Sequence, residues 1–252
     1  MRVRIPQLLS SGKALAAGIH LGLSACAVGL LATLMFLWWY PPPFFMFDGG
    51  WQVLRLIILV DVVLGPLLTL IVFDRAKKEL KRDLGLIVVL QLAAFAYGAW
   101  IMHSHRPAFM VYAERSFYSV SWRDIGRATP DPAVPAALAA GARAPVPVFA
   151  ELPADRQERA QLFAAMAVGG PAISHYGALY RKLDQVNFER IAREAADIDE
   201  LARGDTTIAA ELERVRAAHP ARKLSFVPVD CRYGLIMLVF DRDTLAIIDW
   251  MT

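Results

Sequence analysis

Three apolar runs, Ala14 to Tyr40, Trp51 to Phe73 and Leu84 to Met102, fill most of the first hundred positions. Each holds about 19–27 residues, and roughly 20 suffice to cross a bilayer core. A backbone surrounded by hydrocarbon must pair its own N–H and C=O groups, so open runs of this kind can only be helices. The sequence therefore predicts a three-helix transmembrane segment over residues 1–102, followed by a separate domain over 103–252. The whole chain is 56% hydrophobic, above the roughly 45–50% of soluble domains. The excess lies before His103, and the remainder has the composition of one ordinary globular domain.

Lys and Arg set the expected orientation. Arg2, Arg4 and Lys13 precede the first run, and "DRAKKELKRD" (74–83) joins the second to the third. The connection "PPPFFMFDGG" (41–50) has no basic residue. Both basic segments are expected in the cytoplasm, with residues 103–252 on the far side. "FLWWYPPPFFMF" (36–47), Trp51 and Trp100 supply the aromatic belt of the outer interface. "LSAC" (23–26) resembles a lipoprotein cleavage signal, but the apolar run continues well past Cys26, so the segment reads as a span. Cys26 and Cys231 are expected at different depths, with no disulfide between them.

Within the second run, "ILVDVVLGPLLTLIVFDR" (58–75) carries Asp61, Gly65 and Pro66. A carboxylate at the bilayer centre costs about 2.5–3.5 kcal/mol on insertion scales. Proline removes a backbone donor and crowds the preceding turn. Gln91 on the third span falls at a similar depth, as do Ser24 and Cys26 on the first. The expectation is that Asp61 hydrogen-bonds inside the bundle or meets a partner's membrane helix, that Gly65 lets a neighbouring helix approach, and that Pro66 bends the span and frees a carbonyl near Val62. Asp61, Gly65, Pro66 and Gln91 are thus the candidate partner-binding or intramembrane polar residues.

Residues 103–252 read as α+β. "RPAFMVYAERSFYSVSWRDI" (106–125) predicts two early strands around a turn at Glu114-Arg115. The Pro-, Ala- and Gly-rich stretch that follows reads mostly as loop. Helices are expected from about Ala154 to Val168, with Pro153 at the start and Asp155 in the first turn; over 187–203; and from a cap at Thr206 or Thr207 to about Ala218. "LSFVPVD", "YGLIMLVF" and "LAIIDW" predict about three late strands, placed beside the early ones, with a turn at "DRDT" (241–244).

Catalytic and metal patterns are absent from the sequence. Basic and acidic residues nearly balance in 103–252, which argues against nucleic acid as a partner. His103 and His105 lack a nearby Cys or carboxylate cluster, so no metal site is expected. Asp197, Asp199 and Glu200 lie near Arg190, Arg193 and Arg203 and read as a solvated ion-paired face. Cys231 has no His beside it. No phosphate-binding loop, nucleophile elbow or dinucleotide fingerprint occurs. No cofactor and no enzymatic activity are expected, and the partners begin with the lipid bilayer.

With these residues in view, the chain resembles the TfpX/TfpZ family of type IV pilin accessory proteins over nearly its full length. The resemblance rests on "WWYPPPFF", "LVDVVLGPLLTLIVFD", "KRDLGLIVVLQLAAFAYGAW", "RPAFMVYAERSFYSV" and "FVPVDCRYGLIMLVFDRDTLAIIDW". It departs at Leu245, where the family often carries Gly, and across "GGPAISHYGALY". The resemblance implies a non-enzymatic accessory or chaperone in the bacterial inner membrane, with its C-terminal domain in the periplasm. It would bind a type IV pilin subunit, both membrane helix and periplasmic head, and favour pilus assembly and surface display. Other pilus assembly proteins stay open as further partners. The residues alone leave a second class open, a membrane-anchored periplasmic sensor or ligand-binding protein.

Overall fold

The computed structural model describes residues 11–74, 78–128, 131–195 and 197–252. Arg2, Arg4, Arg75 and Lys77, on which part of the charge pattern rests, lie outside the described residues. Contacts divide the chain into two compact units, with the boundary after Ser104.

The first unit is helical. α1 (Ser11–Leu34) runs on through a wider π-helical turn, Met35–Trp39. A short α2 (Phe44–Phe47) turns the chain. The central span is α3 (Gly50–Ile57), a π-helical segment Ile58–Leu64, and α4 (Gly65–Val72). α5 (Leu80–Ser104) completes the unit. Among the described residues, three helices are long and apolar enough to cross a membrane, Gly12–Trp39, Gly50–Val72 and Leu80–Ser104. They bury little of themselves: Leu23 is 68% and Leu30 74% exposed, and Leu86, Val89 and Leu90 stand equally bare. Surfaces this apolar call for an apolar surrounding.

Packing is tight at one end of these helices. Val28, Leu31, Met35, Tyr40, Leu54, Ile57 and Met102 form a buried cluster. The Tyr40 hydroxyl donates to the Met102 carbonyl at 3.0 Å. Gly98 faces Ile57 so closely that a Cβ there would lie 2.8 Å from the Ile57 Cδ1. The absence of a side chain at Gly98 lets α5 approach the central span.

The second unit is α+β with a seven-stranded mixed sheet. Its elements are β1 (Pro107–Ala113), β2 (Ser116–Ser121), α6 (Trp122–Ala128), α7 (Ala133–Ala139), β3 (Val146–Ala150), α8 (Arg156–Ala167), β4 (Tyr180–Lys182), α9 (Gln185–Glu194), α10 (Ile198–Gly204), α11 (Thr206–Ala218), β5 (Leu224–Cys231), β6 (Gly234–Asp241) and β7 (Ile247–Met251). The strand order is β4-β3-β1-β2-β5-β6-β7. β1 is buried at every residue, as a strand covered on both faces must be. Glu114 and Arg115 take φ of 51° and 71°, the two-residue hairpin geometry that matches strand twist. β5 joins β2 in parallel through Phe117 opposite Val229 and Tyr118 opposite Asp230, so the late strands do lie beside an early one.

β3 and α7 fall within the stretch that read mostly as loop, and β4 lies where the sequence predicted no element. Pro147 hides β3: proline cannot donate to a ladder. Here it needs no donor toward β4, because pairing with β4 begins at Val148. The 187–203 helix is two helices, because Ala195 turns extended and the Asp197 side chain starts α10 by accepting from the Asp199 N–H at 3.0 Å. The Asp199 carboxylate pairs with Arg216 of α11 at 2.8 Å, while Arg203 of its own run donates to the Asp199 carbonyl at 3.2 Å. Asp155 is the cap of α8 itself, accepting from the N–H groups of Gln157 and Glu158, which leaves Pro153 outside the helix. Asp205, one residue before the expected threonines, caps α11. In each case a carboxylate satisfies amide groups that the first helical turn leaves open. Leu245 has φ of 59°, a conformation glycine adopts without the crowding a Cβ brings.

α11 and β7 are tied by charge. Arg214 reaches Asp249 at 2.9 Å, and His219 Nε2 lies 3.6 Å from the same carboxylate. Burial pushes Asp249 up, but hydrogen bonds from Arg214 and from the Trp250 N–H, with the charges of Arg214 and His219, outweigh it and hold the carboxyl below its ordinary range. An unfolded aspartate titrates near 3.9, so this stabilisation is complete above about that pH and is lost as pH falls through the lower folded value. Melting curves between about pH 3 and pH 6 should therefore show a steeper acid-side fall in Tm for the native chain than for Arg214→Ala.

Candidate functional site

The packed end of the helical unit opens, toward Thr69 and Leu84, into a groove of about 530 Å³. α1 and α5 each pack against the central span rather than against each other. They form two walls, apolar through Ile19, Leu23, Val88 and Leu92, and the central span is the floor. The floor is polar. Leu54, Ile57, Asp61, Gly65 and Thr69 are the buried face of that span, spaced at helical intervals.

Asp61 is 5% exposed. Its Oδ2 and the Gln91 Oε1 are both buried and accept no hydrogen bond. The bond expected between Asp61 and Gln91, Ser24 or Cys26 is not formed. Gln91 Nε2 donates instead to the Val60 carbonyl at 3.2 Å, Ser24 lines the groove without bonding Asp61, and Cys26 is exposed.

Backbone geometry explains the Gln91 contact. Pro66 has no N–H to continue the helical ladder. The chain widens to π-helical over the turn and a half before it, and the Gly65 N–H bonds back to Val60. A π turn inside a helix re-aims the groups around it, and Val60 offers its carbonyl to α5. The Val60 carbonyl thus accepts from both the Gly65 N–H and Gln91 Nε2, through a widened turn rather than the plain bend expected to free a carbonyl near Val62. Gly65 makes room: a Cβ there would sit 2.0 Å from Gln91 Nε2 and 2.9 Å from Gln91 Oε1.

Two groove residues escaped sequence reasoning. His20 on α1 and Thr69 on α4 are joined by a 2.7 Å contact between Nδ1 and Oγ1. The available signal was an ionisable side chain inside a span, which by itself marks a functional candidate. His103, by contrast, packs its ring edge-on to Trp39 at 5.1 Å. Among the described residues, no three His, Cys, Asp or Glu side chains gather as a metal-binding group.

A unit of three helices long and apolar enough to cross a membrane, with Asp61 and Thr69 on the floor of its groove, together with an α+β domain, is the class of protein these features define. The fimbrial assembly protein FimB family matches at residues 10–49. The fimbrial assembly protein of serogroups C1 and C2 from Dichelobacter nodosus is 40% identical over 110 residues, covering 43% of this chain and 84% of that protein. The serogroup I protein of the same organism is 41% identical over 97 residues, 38% of each chain. The serogroup E1 protein is 39% identical over 110 residues, 43% of each chain. The chain therefore belongs to the fimbrial assembly protein family, although it spans less than half the length of the last two relatives. No solved structure matches it significantly.

Proposed function

We propose that this chain is a non-enzymatic accessory of type IV pilus assembly, of the TfpX/TfpZ kind, that binds a pilin subunit and favours its assembly and surface display. It sits in the bacterial inner membrane with its N-terminus in the cytoplasm and its α+β domain in the periplasm. The basic loops that include Lys13, Lys78, Lys81 and Arg82 support that orientation. The observation that carries the reading is the match to fimbrial assembly proteins together with three helices fit to cross a membrane. A subunit held in the same membrane by one apolar helix meets both units: the α+β domain reads its head, and the groove at Asp61, Gly65, Pro66 and Gln91 receives its helix.

Chemical cross-linking in native membranes, followed by capture of the tagged full chain, checks this. Pilin is expected as the main recovered partner, and cells lacking the accessory should display fewer pili at unchanged pilin abundance. Recovery of other proteins without pilin, or normal surface display in its absence, would remove the reading.

A further inference from the structure

Resting on that reading, we infer that the α+β unit receives an acidic segment of its protein partner, with an aromatic side chain beside the carboxylates, in a pocket at the carboxyl ends of β1 and β3. The pocket holds about 500 Å³, within the usual range of ligand-sized sites. β1 and β3 run parallel, and parallel strands in open sheets commonly offer a crevice off their carboxyl ends. The floor is aromatic. Tyr112 and Phe149 stack there, 5.8 Å apart, and both are buried.

Three arginines from three elements surround that floor: Arg115 from the turn after β1, Arg159 from α8 and Arg190 from α9. Their observed contacts are with uncharged groups. Arg115 donates to the Glu194 backbone carbonyl, from Nε at 3.3 Å and from Nη2 at 3.1 Å. Arg159 donates to the Ala154 carbonyl at 3.1 Å. Arg190 lies over the Phe149 ring at 5.0 Å. Three carboxylates share the pocket. Glu151 is balanced by Arg181 at 3.0 Å, and the Glu194 carboxylate accepts from the Tyr112 hydroxyl at 3.2 Å. Three guanidiniums against Glu114 and Glu194 leave a positive excess. Each guanidinium carries five N–H donors in a fork that matches a carboxylate, so the unused donors favour an anionic visitor.

The outer wall is α8. Arg159 and Phe163 stand four residues apart on it and share a face, and both line the pocket. Yet α8 buries none of its residues, and Phe163 is 45% exposed. Met166, near the end of the helix, packs against the core that includes Val111 and Val148. A helix in a folded domain owes most of its stability to the face it packs. Phe163 and the exposed Leu152 beside the pocket therefore leave an apolar contact for an incoming side chain to supply. A free inorganic anion would use the arginines alone, and a basic segment would meet like charge.

The test uses the full chain in lipid nanodiscs and short peptides with blocked ends, built on Gly and Ser and carrying Asp-Asp-Phe, Asn-Asn-Phe or Asp-Asp-Ser. The Asp-Asp-Phe peptide should bind on the order of tenfold more tightly than the Asn-Asn-Phe peptide, and the Asp-Asp-Ser peptide should also be weaker. Arg159→Gln with Arg190→Gln should erase the charge preference, and Phe163→Ser the aromatic one, each with the melting temperature of the chain unchanged. Equal binding of the Asp and Asn peptides, or a charge preference that survives in the folded double variant, overturns the inference. Displacement of the Asp-Asp-Phe peptide by an equal concentration of inorganic phosphate also overturns it, because the pocket would then belong to a small free anion.

A photo-reactive residue in place of Phe163 should label the Asp-Asp-Phe peptide, and one in place of Val168, beyond the pocket, should not; labelling from Val168 alone defeats the site. In native membranes the Phe163 probe should label pilin. Peptide preference without pilin labelling or capture supports the pocket and defeats the pilin reading. Pilin captured equally by the native chain and the double variant, with no peptide preference, defeats the pocket and spares the assembly role.

Discussion

Phe240→Ala is expected to lower the stability of the α+β unit by about 3–5 kcal/mol, the usual cost of emptying a large aromatic site in a core. Phe240 is 0% exposed. It stacks on Phe117 of β2 at 5.7 Å and meets Phe188 of α9 at 5.3 Å. Those contacts lie across the junction of β2 with β5, where backbone pairing is short. Losing the ring therefore weakens the place where the sheet depends most on side chains. Hydrogen exchange of the β5 and β6 amides in the full chain should report the loss, with the helices of the first unit unaffected. A cost under about 1 kcal/mol would mean that the two halves of the sheet are held by something other than this aromatic stack.

The second large effect is expected at Gly65. In Gly65→Leu the first side-chain carbon alone collides with the Gln91 amide. Gln91 must leave the Val60 carbonyl, and the rest of the leucine side chain enters the groove. Overfilling a packed site commonly costs about 1–3 kcal/mol, and here it also closes the space a partner helix would use. Capture of pilin should drop on the order of tenfold or more while the chain stays in the membrane. Gly65→Ala should fall between, because the end of a glutamine side chain can move aside more easily than backbone. Undiminished pilin capture by the leucine variant would argue that the groove is not the path of the partner helix.

Much of this molecule is legible in its sequence because its strongest signals are local. Apolar run length places the three long apolar helices within a few residues of their observed ends. Alternation and turn chemistry place β1, β2 and the three late strands. The misses have a common physical origin. β3 is a strand because β1 and β4 pair with it, and its local sequence "APVPVFA", with Pro147 inside the strand and Pro145 just before it, argues otherwise. Caps at Asp155, Asp197 and Asp205 decide helix starts by one or two hydrogen bonds each, which a pattern of apolar spacing does not register.

The groove was partly readable. Asp61, Gly65, Pro66 and Gln91 stand out on spans by residue type alone. The pairing of His20 with Thr69, across 49 positions, depends on how α1 lies against α4. The π-helical turn that hands Val60 to Gln91 needs three dimensions to be seen. Composition announces that a polar group sits in an apolar helix; only packing decides which acceptors it leaves open.

The seam between β2 and β5 also sets a clock. Phe117 and Tyr118 must wait for Val229 and Asp230, and the sheet is finished only when β7 arrives at Met251. The helical unit is complete by Ser104. Chains grow at about 5–20 residues per second, so for on the order of ten seconds a newborn molecule owns its groove and not its sheet. During that interval the cleft lined by Asp61 and Gln91 exists before the seven-stranded sheet does.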